Sequence, residues 1–351
     1  MPPGPEPASP PGGTRTAAAA DTTASRRPGG RSALRWTIQI TLTVVVTAFV
    51  LRRLGFTFDE VTALDLGRWQ PRWGLLSASA VVLAVGYAFS GWLWARMVRE
   101  MGGRALPMTT AVRIYMVANL GRYVPGKVLQ IAGLAWLSRR EGVPPGTAMA
   151  AAVVGQGVAL LGATSIGLVA FFGPDPRYRA IGWIGVGLTA LFVAATSVPP
   201  TARLLERLWR GLAGRAGEES PPPVAKAGFG LRWTAWYALN WGVYAAAFWL
   251  FFMALEGPAS FLGVGPAFAA AYLVGYLVLF APAGAGVRES ALVVFLLPVV
   301  SREAALALAV AARLWTTVVE VVPAGILALT HARRGGPDAS LPDSSDSHST
   351  A

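Results

Sequence analysis

The chain has 351 residues, 54% hydrophobic and only 14% charged, with a mean hydropathy of +0.50; soluble domains carry about 25% charged residues, so most of this surface does not face water. There is no Cys, and the only His are His331 and His348 near the C-terminus, which excludes disulfides, iron–sulfur clusters, thiol catalysis, a membrane-embedded His zinc site and a Ser-His-Asp triad. The formal net charge of +12 fits the Lys- and Arg-rich cytoplasmic loops of a membrane protein better than nucleic-acid binding.

Residues 1–34 are rich in Pro, Gly, Ala, Ser and Thr and read as a disordered tail. The integral membrane domain then runs over 35–332. A first apolar span, "WTIQITLTVVVTAFVL" (36–51), is followed by "LRRLGF" without a small-residue cleavage site, so it reads as an uncleaved span. Further full spans are expected at 74–98, 146–173, 180–198, 233–255 and 303–329, since a bilayer core takes about 20 apolar residues in a helix. A second tail, 333–351, closes the chain.

Two stretches interrupt this pattern. "GRYVPGKVLQ" (121–130) separates the short apolar segments 108–120 and 128–137. "APAGAGVRES" (281–290) separates 272–280 from the short segment 286–300. None of these segments is long enough to cross alone. Each pair reads as a re-entrant hairpin, broken at Pro125 and Gly126 in the first and at Pro282, Gly284 and Gly286 in the second. Proline ends a helix, and broken helices are tolerated in a bilayer only where protein or a wet cavity receives the freed backbone groups.

The chain also repeats at an offset of 157 residues. Tyr87 falls on Tyr244, Trp92 on Trp249, Tyr115 on Tyr272, and Pro125 on Pro282. Identities are few, but repeat A (74–172) and repeat B (231–329) share the same order: full span, short segment, break, short segment, full span. Basic residues concentrate in 1–35, 96–140, 199–232 and after the last span. Six crossings place all four in the cytoplasm, with both termini inside a plasma membrane. The two repeats are then inverted. The expected fold is an all-α polytopic membrane protein with six full spans and two re-entrant helical hairpins in an inverted repeat, a transporter pattern.

Charges at membrane depth cost at least a few kcal/mol and mark a pathway or a partner. At the first break, Arg122 and Lys127 either meet a polar cargo or snorkel as interfacial loop residues. At the second, Arg288 and Glu289 lie in the first turn of the returning half-helix. A carboxylate suits that end and a cation does not, so Arg288 is expected to be held by Glu289, by Glu320 or by a bound phosphate. Arg313 and Glu320 are seven residues apart in the last span and face one side of it. They either neutralise the Arg288/Glu289 pair or touch cargo. Gln156 is the repeat equivalent of Arg313, and Asn240 is a further polar group in a span.

The motifs "GRYVPGKVLQIAGLAWLSRREGV" (121–143) and "PAGAGVRESALVVFLLP" (282–298) resemble those of the lysylphosphatidylglycerol synthase transmembrane-region, or flippase-like domain, family over roughly residues 35–330. In its Pro-x-Arg/Lys-x-x-Glu pattern Lys127 is the cation, while Gln130 stands where many members have Glu. The resemblance implies a membrane module that moves lipid between leaflets, here with only a short tail after the last span and so without the synthase activity. The expected substrate-binding residues are Arg122, Lys127, Gln130, Gln156, Arg288, Glu289, Arg313 and Glu320. The expected partner is a membrane lipid: an anionic or aminoacylated phospholipid, or a polyprenyl-phosphate-linked lipid.

Two functions fit these residues. One is a lipid flippase, translocase or head-group-binding transporter. The other is an accessory module that presents a lipid-linked substrate to a separate glycosyl- or aminoacyl-transferase. An enzyme is not expected, because no nucleophile–base set or metal cluster supports one; no metal or cofactor is implied.

Overall fold

A computed structural model describes residues 69–123, 128–172, 176, 179–197, 228–277 and 286–334. All of them belong to the unit Gln39–Ala351; the other unit, Met1–Ile38, lies outside the described residues.

The described residues form nine α-helices and no strand. In chain order they are α1 (Trp73–Glu100), α2 (Met108–Asn119), α3 (Val128–Arg139), α4 (Pro145–Phe171), α5 (Arg179–Ser197), α6 (Phe229–Leu255), α7 (Phe261–Leu277), α8 (Val287–Leu296) and α9 (Arg302–Arg334), with a 3₁₀ turn, Leu120–Tyr123, after α2. Five helices are long and apolar enough to cross a membrane: α1, α4, α5, α6 and α9. They coincide with the segments expected at 74–98, 146–173, 180–198, 233–255 and 303–329. The span expected at 36–51 lies outside the described residues. So do the break residues Lys127, Pro125, Gly126, Pro282 and Gly284, and both tails up to 68 and beyond 334.

The long helices are predominantly apolar, and their outward faces expose large hydrophobic side chains to lipid. Leu188, Leu191, Trp183 and Ile184 on α5 are more than half exposed, as are Leu314, Val318 and Ile326 on α9. The inward faces carry aromatic and small residues. Phe248, Phe251, Phe268 and Trp315 stack into one layer at centroid separations of 4.8–6.1 Å.

Among the described residues the most extensively packed pair is α1 and α6, which run antiparallel. At one end the Trp69 indole donates to Glu256 at 2.7 Å, and the Arg72 amide donates to the Ala254 carbonyl at 2.9 Å. At the other end Arg232 donates to both Glu100 oxygens at 2.8 and 3.0 Å. Around this pair, α2 packs on α3 and α7 packs on α8, so the short helices flanking each break lie side by side. Two glycines permit that closeness. A Cβ at Gly121 would sit 2.7 Å from the backbone of Leu129 and Gln130; one at Gly275 would sit 2.7 Å from the Arg288 Cβ.

Contacts between the two sets of four helices are reciprocal. Helix α4 packs on α7 and α6, while α9, which the sequence offset of 157 residues aligns with it, packs on α2 and α1.

Candidate functional site

Helix α8 begins where the chain leaves Gly286, whose φ of +82° is a conformation that favours glycine. The first turn closes on itself: the Gly286 amide donates to Glu289 Oε2 at 2.6 Å, and the Ser290 hydroxyl donates to the Gly286 carbonyl at 2.7 Å. Glu289 therefore occupies a helix-start position, satisfying a backbone N–H that has no partner inside the helix. Its other oxygen forms an ion pair with Arg313 Nη1 of α9 at 3.5 Å.

Arg288, one residue earlier, turns the other way. It is 7% exposed, and its guanidinium lies over the Phe268 ring at 4.8 Å and near Tyr272 at 6.0 Å, both on α7. Among the described residues no carboxylate pairs with it. Neither acid expected to hold it does so. Glu289 serves Gly286 and Arg313, and Glu320, only 2% exposed, is paired with Arg122 from the turn after α2. A cation over aromatic faces gains about 2 kcal/mol when desolvated. Burying a charge costs several, so the Arg288 cation is left undercompensated.

Arg288 opens onto a cleft between the two sets of helices. Four of the expected residues line it: Arg122, Gln130, Gln156 and Arg288. Glu320 pairs with Arg122, Glu289 and Arg313 pair with each other, and none of these three is among the lining residues. Lys127 lies outside the described residues, so its place is open.

The cleft also contains residues absent from that expected set. Asn119 accepts from the Gln130 amide at 3.0 Å. Asn240 donates to Ser90 Oγ at 2.8 Å, and Ser90 bonds the Tyr244 hydroxyl at 2.7 Å. Tyr87, Tyr115, Tyr244 and Tyr272 all line it too. These four are the tyrosine identities of the 157-residue repeat, which was the signal that could have found them.

A second cleft adjoins the first. The two share Tyr115, Gln130, Gln156, Ala159 and Tyr237. Beyond these the second is walled largely by apolar residues of α1, α3 and α4, among them Trp94, Ile131, Leu134, Ala151 and Ala152.

Long apolar helices around a buried polar cleft define a multi-pass α-helical membrane protein. The chain belongs to the lysylphosphatidylglycerol synthase TM region family, whose model matches residues 36–324. No curated protein and no solved structure matches it. The expected family is thus the family found, and it ties this membrane protein to lipid metabolism.

Proposed function

We propose that this protein binds a membrane lipid with an anionic head group and carries it between the leaflets of the plasma membrane. The observation that supports it is the adjacency of the two clefts: one that holds an undercompensated arginine and several polar side chains shares Gln130 and Gln156 with a neighbour whose own wall is largely apolar. A small polar solute has no use for the second chamber, whereas an amphiphile needs both. A phosphate suits Arg288 because its planar fork of donors matches phosphate oxygens. No covalent bond is made or broken, and the role is not enzymatic.

In this reading the architecture has six spans, the first being 36–51, and two re-entrant hairpins, α2–α3 and α7–α8, in an inverted repeat. The reciprocal packing of α1–α4 and α6–α9 supports the repeat, because a two-fold relation makes each contact recur with the partners exchanged. Both termini face the cytoplasm. The Arg122–Glu320 pair links the turn of the first hairpin to α9. It is the contact that separates when the cleft changes the side to which it opens.

Reconstitution into liposomes with fluorescent anionic phospholipids tests the proposal. The protein should accelerate exchange of the labelled lipid between leaflets well above that of protein-free liposomes. An unchanged rate for every anionic lipid tried would overturn it.

A further inference from the structure

Three observations on the polar cleft restrict the head group it accepts. First, no Asp or Glu is among the described residues lining it, while two Arg are. The nearby carboxylates are engaged, Glu320 with Arg122 and Glu289 with Gly286 and Arg313. Second, Asn240 is 2% exposed, and its Oδ1 is a buried acceptor with no hydrogen-bond partner among the described residues. An acceptor in that state calls for a donor, and leaving it empty carries the full desolvation penalty. Third, the Gln156 amide makes no hydrogen bond among the described residues, although it lines the same cleft. Much of the remaining wall is aromatic: Trp241 and Tyr272 meet at 4.7 Å, and Trp241 and Tyr244 at 5.3 Å.

A cationic head group would meet only positive charge here, with no carboxylate to receive it. A phosphate bearing nothing further would satisfy Arg288 and leave Asn240 and Gln156 bare. Neutral hydroxyls supply the missing partners: they donate to the Asn240 oxygen, exchange hydrogen bonds with the Gln156 amide, and present a C–H face to aromatic rings. Resting on the lipid-binding reading above, we infer that the head group is a phosphodiester of a neutral polyol or sugar. An aminoacylated or other amine-bearing head group does not fit this cleft. Arg288 grips the phosphate, Asn240 and Gln156 read the hydroxyls, and the apolar cleft receives a hydrocarbon chain.

The test uses the purified full chain and displacement of fluorescent phosphatidylinositol by three unlabelled lipids. Phosphatidylinositol carries phosphate and hydroxyls. Phosphatidylethanol carries phosphate alone. Lysylphosphatidylglycerol carries a cationic amino acid. Phosphatidylinositol should displace about tenfold better than phosphatidylethanol, and lysylphosphatidylglycerol should do no better than phosphatidylethanol. In Asn240→Leu the ratio between the first two should fall toward one. The wild-type series stands alone if that variant does not fold. Equal displacement by phosphatidylinositol and phosphatidylethanol, or best displacement by lysylphosphatidylglycerol, would overturn the polyol assignment and leave lipid binding intact. Failure of the labelled lipid and of all three competitors to bind would overturn both.

Discussion

The Tyr87 and Tyr244 rings touch, with centroids 5.5 Å apart and planes tilted by 57°. They are 157 residues apart, the offset at which the two halves of the sequence match. In a two-fold repeat, only equivalent residues close to the axis can meet each other. The contact therefore locates the axis of the proposed repeat between α1 and α6, at the wall of the polar cleft.

This contact is sensitive to volume. A Cβ on Gly86 would lie 2.6 Å from the Tyr244 ring, and that ring is held by its bond to Ser90. Gly86→Ala should lower stability by about 1–3 kcal/mol through overpacking, seen as a lower melting temperature in detergent. Gly242→Ala, where a Cβ meets nothing within 4 Å, is the control and should change little. Equal melting of the two variants would contradict the packing described.

The Arg122–Glu320 pair makes a second prediction. Glu320 is 2% exposed and Arg122 16%, so removing one partner strands a buried charge. Glu320→Leu alone should cost about 3–5 kcal/mol, whereas Arg122→Leu with Glu320→Leu should regain most of it. If the pair also separates during transport, the double variant stays folded and loses lipid translocation. A double variant less stable than the single one would show that the pair is not what holds these groups.

Arg288 makes the third. Arg288→Ala removes a buried cation that forms no salt bridge among the described residues, so the protein should stay folded and inserted. Its binding of anionic lipid should fall by tenfold or more, the loss of a charge-assisted hydrogen bond. Arg288→Lys should restore only part, because a point charge lacks the planar fork. Full lipid binding and transport by the alanine variant would remove Arg288 from the site.

The last prediction concerns topology. The native chain has no Cys, so single substitutions report cleanly. Ala8→Cys, Arg215→Cys and Ser345→Cys should each resist an impermeant reagent added outside intact cells and react after lysis. Outside labelling at Ser345→Cys alone would mean an odd number of crossings, which the inverted repeat does not allow.

Local pattern fixed much of this molecule. Run length and apolarity placed the five described spans, because a helix in a bilayer must satisfy its own backbone and can expose only apolar side chains. Gly286 marked the start of α8. The return after Gly286 and the helix-start role of Glu289 follow from residues adjacent in the chain. What local pattern could not decide is which groups meet across the fold. Glu320 meets Arg122, 198 residues away, and Arg313 takes Glu289, so of the partners expected for Arg288 the two acids are engaged elsewhere and aromatic rings lie beneath it. Ser90, Asn119 and Asn240 gather in one cleft although they come from three separate helices. Such partnerships depend on how far each helix is rotated and how closely it approaches its neighbours. Side-chain packing and small residues such as Gly121 and Gly275 set both, and neither leaves a periodic mark on the sequence.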